Sequence, residues 1–165
     1  MRMILLAASA LALGACSSFV SEYGPQTVMT AGGYRDAAEA PNRWRVSAKS
    51  NGLAEQDFAQ TMAVYRGAIL ARAAGFPHLQ IVYFSGRQRF AGGMRGIQDV
   101  TFRFVGVNSP DAPLTCESPA LTQSTCRTMG VEETLALLGP QLRRTPAQTE
   151  AEVAAVRAAP PRAGN

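Results

Sequence analysis

Histidine and lysine are almost missing from this chain: His78 is the one histidine and Lys49 the one lysine in 165 residues, with three cysteines beside them. A nucleophilic triad would have to use His78, yet that residue directly follows Pro77, and no Gly-x-Ser-x-Gly elbow occurs anywhere. A closed zinc site takes four ligands, and two thiols with a single imidazole fall short. No metal and no cofactor are therefore expected. The formal charge of +4 is too small to argue for a nucleic-acid partner. The arginine and alanine bias that accompanies the missing lysine reads as the mark of a GC-rich genome, not of phosphate binding. No internal repeat is evident.

Long apolar runs are missing too, with one short exception. Residues 1–3 are Met-Arg-Met, and residues 4–13 are apolar apart from Ser9. Spanning a bilayer takes about 20 such residues, but this run stops at Gly14-Ala15-Cys16 and turns polar at Ser17-Ser18. The pattern is that of a signal peptide over residues 1–15. Leu13-Gly14-Ala15-Cys16 resembles the lipobox of bacterial lipoproteins, in which small residues admit the peptidase and the cysteine thiol receives diacylglycerol. An ordinary signal peptide with a cysteine nearby is the weaker alternative. One acyl chain binds a membrane marginally and two bind it stably, so lipid on Cys16 implies lasting attachment. Lipoproteins of this kind are commonly kept at the inner membrane by an Asp after the cysteine. Ser17 in that position implies the periplasmic face of the outer membrane.

The other cysteines agree with export. With Cys16 spent on lipid, Cys116 and Cys126 form one pair, and an oxidising compartment favours a disulfide between them. Closing a loop of about eleven residues stabilises a fold by roughly 2–3 kcal/mol on the chain-entropy account. A redox pair would favour closer, CxxC-like spacing.

Beyond Cys16, 150 residues suffice for one domain with one core. Residues 16–32 are polar and glycine-containing and read as the lipidated N-terminus and a tether; structure is expected over residues 33–142. Residues 34–38 suggest a strand and residues 40–43 a turn. Residues 44–49 alternate, with Trp44, Val46 and Ala48 inward. Phe58, Met62, Tyr65 and Ile69 recur at helical spacing, with Asp57 near the start and Gly75 and Pro77 at the stop. Residues 79–85 are apolar on both faces except Gln80, which implies a central strand. Residues 98–107 alternate through Val100, Phe102 and Phe104. Glycines at 86, 92, 93 and 96 between these two strands fit a long hairpin, and residues 131–138 fit a short helix. From residue 143 to 165 alanine, proline and polar residues dominate, so a disordered tail is expected, apart from a helical turn or two around residues 150–158. The element order predicts an α+β fold: a small two-layer sandwich, an antiparallel sheet of about four strands with one long helix on a face and a short C-terminal helix.

Gly32-Gly33-Tyr34, Trp44-Arg45-Val46, Asn51-Gly52 and Tyr65-Arg66 together resemble a family of uncharacterised proteobacterial lipoproteins. Its shared pattern is a lipobox, a GGY, an N-x-[WF]-R-V strand, a GN turn and a helix carrying R-A-A-E, matched here over about residues 16–138. This chain departs at the helix, where Arg66-Gly67-Ala68-Ile69 lacks the acid. The resemblance implies fold and address, and carries no established activity.

Among candidate sites, Glu132 and Glu133 are neighbours that face different ways on a helix and are better explained as favourable charge at its N-terminus; Glu55 and Asp57 read the same way. Residues 92–96 look only loosely like a phosphate cradle, because a strand follows where a helix should. Arg87, Arg89 and Arg95 beside those glycines could bind an anionic polymer or lipid head group, and if Arg87 and Arg89 lie in a strand they share a face. The competing role is protection of an exposed strand edge. Trp44 and Tyr34 could line a binding face, although aromatics at such positions more often fill the core. The expected protein is a non-enzymatic envelope lipoprotein, a binding or interaction module with the membrane and an envelope protein or peptidoglycan as partners. The alternative is an envelope hydrolase or accessory subunit acting on a cell-wall or lipid substrate.

Overall fold

The computed structural model describes residues 20–27, 32–51, 53–55, 57–91 and 94–159, with the backbone alone for residues 90, 91 and 94–96. The signal-peptide residues, Cys16 and the side chain of Arg95 lie outside the described residues.

Side-chain alternation decides the sheet. Trp44, Val46 and Ala48 fall on one face of β2 (Arg43–Ser50) and are all buried. β2 pairs antiparallel with β1 (Gly33–Ala40) across the Pro41-Asn42 turn. On its other side it pairs with β4 (Met94–Val107), whose Val100, Phe102 and Phe104 continue the same buried face. β4 and β3 (His78–Ala91) form the long hairpin. A fifth strand, β5 (Arg127–Gly130), joins β3 over residues 78–81, one strand beyond the expected count. The order is β1-β2-β4-β3-β5, all antiparallel.

β4, not β3, is therefore the central strand. The double-sided apolar character of residues 79–85 has another cause: residues 112–118 cover β3. Gln80 Nε2 donates to the Ala112 carbonyl at 2.9 Å, the Glu117 amide to the Val82 carbonyl at 2.7 Å, and the Phe84 amide to Ser118 Oγ at 2.7 Å. Cys116 and Cys126 are disulfide-bonded and close this covering loop, with Cα atoms 5.7 Å apart.

One face of the sheet carries α1 (Phe58–Ala73), whose Met62, Tyr65 and Ile69 are fully buried. The helix is buried nearly all round, including Val64, Arg66 and Leu70 on its other sides, because α2 (Val131–Leu138) and α3 (Pro146–Ala158) pack against it. It ends at Gly75, whose φ of 86° suits only glycine at no strain. Arg157 of α3 donates to the exposed Arg72 and Ala73 carbonyls, a cation where the helix dipole favours one. Glu132 and Glu133 occupy the first turn of α2, as the dipole reading expects.

Two boundaries need correction. The tail expected from residue 143 contains α3, a thirteen-residue helix docked on the domain through buried Thr149 and Val153. Its composition is that of a solvated segment because much of its attachment is polar: Thr149 Oγ1 lies 2.7 Å from Tyr65 Oη, and Glu152 joins the ionic cluster described below. The second correction concerns the tether. Residues 21–26 lie on the domain, with Tyr34 bonded through its amide to the Gly24 carbonyl (2.8 Å) and through its carbonyl to the Gln26 amide (2.7 Å). The Tyr23 ring sits 5.1 Å from those of Tyr34 and Tyr65. Backbone pairing and aromatic burial thus hold a segment whose composition suggests a free linker. Among the described residues, no helix is long and apolar enough to cross a membrane.

Candidate functional site

α1, α2 and α3 lie on one face of the sheet; on the other face residues 112–118 bury Gln80 and Val82 of β3, and the remainder is open. Cross-strand register lines its side chains up in rows. Arg45, Arg103 and Tyr83 form one row; Arg35, Ser47, Thr101 and Ser85 the next; Lys49, Asp99 and Arg87 a third; Ile97 and Arg89 a fourth. Arg87 and Arg89 thus share the open face, as their spacing requires, and both are exposed.

The two ends of this face differ in charge balance. Near Pro41, Glu39 pairs with Arg43, Arg45 and Arg103, and Glu117 with Arg43 and Arg103. The hydrogen bond from Arg43 holds the Glu117 carboxyl below its ordinary pKa and raises that of Arg43. At the other end Arg35, Lys49, Arg87 and Arg89 are all exposed, carry no ion pair within 4 Å among the described residues, and face one acid, Asp99. Arg35 stands at the border between the two ends, in one row with the hydroxyls of Ser47, Thr101 and Ser85, and Ser47 Oγ lies 3.0 Å from Thr101 Oγ1. Arg35 and Lys49 belong to the site although sequence reasoning left them out; their odd-numbered places in β1 and β2, opposite in parity to Trp44 and Val46, are the signal that marks them.

A second charged group is buried behind the sheet. Arg66 of α1 donates from Nε to Asp36 Oδ1 of β1 at 3.2 Å and from Nη1 to Glu152 Oε1 of α3 at 2.7 Å. Tyr23 and Tyr34 also donate to Glu152 Oε1, at 2.6 and 3.1 Å, and Arg144 reaches Oε2 at 3.2 Å. The Arg66 guanidinium stacks 4.8 Å from the Tyr34 ring centroid. The counter-charges of Arg66 thus come from β1 and α3. Burial pulls the Arg66 pKa down, but Tyr34 and Asp36 more than offset it and the group stays charged. Burial pushes the Tyr34 hydroxyl up to about 12 and raises Tyr23 further. Both tyrosines keep their protons in the fold above pH 10.0, where the unfolded chain loses them. Their contribution is therefore complete below pH 10.0 and declines as pH rises through the folded values. Thermal melts from about pH 9 to about pH 11.5 should show a steep fall in stability that Tyr23→Phe with Tyr34→Phe flattens.

Beside this cluster, β1, α1 and α3 enclose an open groove of about 780 Å³, apolar along Trp44, Leu70 and Val156 and charged where Asp36, Arg66 and Glu152 meet it. Tyr34 and Trp44 touch the groove, yet each is 6 % exposed and belongs to the core. His78 is half-buried at the start of β3, in a shallow depression with Arg72, Glu132 and Glu133. Among the described residues no cluster of three metal-ligating side chains occurs. No family model, curated protein or solved structure matches the chain.

Proposed function

We propose that this chain is a lipid-anchored envelope protein, held through Cys16 at the periplasmic face of the outer membrane, and that its domain is a non-enzymatic binding module. The module engages an anionic surface through the open face of its sheet. One observation carries this reading: the four exposed basic residues Arg35, Lys49, Arg87 and Arg89 share one end of that face with a single acid. Edge protection accounts for charges along an unpaired strand. It does not account for Lys49, which lies on β2, a strand paired on both sides. The Leu13-Gly14-Ala15-Cys16 motif supports the anchor, and the single disulfide fits an oxidising compartment.

Retention of the purified protein on a polyanion matrix tests the binding role. Wild-type protein should be retained at low salt and released as salt screens the contact, since the Debye length falls from about 10 Å at 0.1 M to about 3 Å at 1 M. Replacing Arg87 and Arg89 with Ala should move release to clearly lower salt. Unchanged release of the double variant would reject the open face as the binding surface.

A further inference from the structure

The leash between anchor and domain is short. Ser21 is fixed to the end of β2: the Asn51 amide donates to Ser21 Oγ at 2.8 Å, and the Ser21 amide to Asn51 Oδ1 at 3.4 Å. Cys16 lies five residues upstream. At roughly 3.3–3.6 Å per residue, fully extended, those five span at most about 18 Å. A compact domain of this size is on the order of 35 Å across. A lipid on Cys16 therefore cannot let the domain turn over; the end carrying Ser21 must face the bilayer.

The basic residues gather at that same end. Register pairs Ser50 of β2 with Gln98, and Gln98 with Gln88. Past this rung β2 stops, while β3 and β4 continue as a two-stranded arm to the Ala91–Met94 pair. Four further residues at about 3.4 Å each carry the arm roughly 14 Å beyond Gln98, within the leash's reach of the bilayer surface. Arg89 and the exposed Ile97 are paired on the arm, and Arg87 and Lys49 flank Asp99 at its root.

We infer that the arm is a second membrane contact: Lys49, Arg87 and Arg89 bind the anionic phospholipid headgroups of the leaflet that holds the Cys16 lipid. The inference rests on the lipid-anchor reading and names the anionic surface that the open face engages. A bilayer is favoured over a polymer because the leash itself brings these residues to it. The contact fixes the tilt of the domain and leaves the part of the groove lined by Ala40, Pro41 and Ala74, at the opposite end of the sheet from Ser50, directed away from the headgroups.

Lys49, the one lysine, is the reporter. The mature acylated protein is incorporated into vesicles of phosphatidylethanolamine and phosphatidylglycerol, vesicles of phosphatidylcholine, or detergent micelles. An amine-reactive acetylating reagent is then followed on the Lys49 peptide. Labelling in the anionic vesicles should be about fivefold slower than in micelles, the factor expected for one basic residue near an anionic leaflet, and should recover at about 1 M salt. Phosphatidylcholine should give the micelle rate. Arg87→Gln with Arg89→Gln should float with the vesicles as before but lose most of the protection. Equal rates in anionic vesicles and micelles would overturn the contact, as would equal protection in both vesicle types. Protection by peptidoglycan sacculi in micelles, without protection by anionic vesicles, would overturn it in favour of the polymer. A protein that neither floats nor carries acyl mass would instead overturn the anchor reading itself.

Discussion

Arg66→Ala is expected to lower the stability of the domain by about 3–5 kcal/mol, the cost of removing one partner from a buried ion pair. The side chains of Arg66, Asp36 and Glu152 are 9 %, 11 % and 13 % exposed, so truncation strands Asp36 without its cation and leaves Glu152 with Arg144 as its one cation beside the Tyr23 and Tyr34 hydroxyls. In a domain of this size that corresponds to a fall in Tm on the order of 10 °C. Burial decides the magnitude. Arg72 makes equally short pairs with Glu132 and Glu150, but those acids are 71 % and 61 % exposed, and Arg72→Ala should cost under about 1 kcal/mol. Urea midpoints of the two variants, compared at unchanged m-value, check both figures. A midpoint for Arg66→Ala no lower than that for Arg72→Ala would mean that the cluster does not hold α3 and the N-terminal segment to the core.

Gly67→Leu is expected to destabilise by about 3 kcal/mol or more, the upper end for overpacking, although helix propensity alone would make it a gain of about 1 kcal/mol. Gly67 lies mid-way along α1 directly over Phe104, and a Cβ there would stand 2.8 Å from two atoms of the ring. Phe104 is fully buried and stacked on Phe102 with centroids 5.5 Å apart, so the ring cannot give way cheaply. Gly67 is what lets α1 approach β4 closely. Gly75→Ala is the contrast: a Cβ there meets nothing within 4 Å, and its cost comes from the positive φ alone. Thermal denaturation of both variants separates overpacking from backbone strain.

Much of the fold is legible in the sequence because its signals are local. The alternation in residues 44–49 and 98–107, the helical stripe from Phe58 to Ile69 and the glycines at 86–96 each specify an element without reference to the rest. What escapes is non-local. β5 has four residues and exists only by pairing with β3. α3 offers the core little beyond Thr149 and Val153, and its hold depends on Glu152 meeting side chains from Tyr23, Tyr34, Arg66 and Arg144, up to 129 residues away. One local signal for α3 was present: Thr145-Pro146-Ala147-Gln148 forms a capping box with proline at the first helical position. The open face is half legible, since spacing places Arg87 and Arg89 together while only register across four strands brings Arg35 and Lys49 to them. Residues 21–26 look like linker because composition cannot see that Tyr23 lands between Tyr34 and Tyr65.

The proposed lipid anchor on Cys16 is the premise for where the domain works and for which end of it meets the membrane. Its most direct test is mass spectrometry of the protein extracted from the cell envelope, read on the N-terminal tryptic peptide. The expected peptide begins at Cys16, ends at Arg35 and carries diacylglycerol on sulfur. A peptide that begins upstream of Cys16, or one that begins there with an unmodified thiol, would contradict the account.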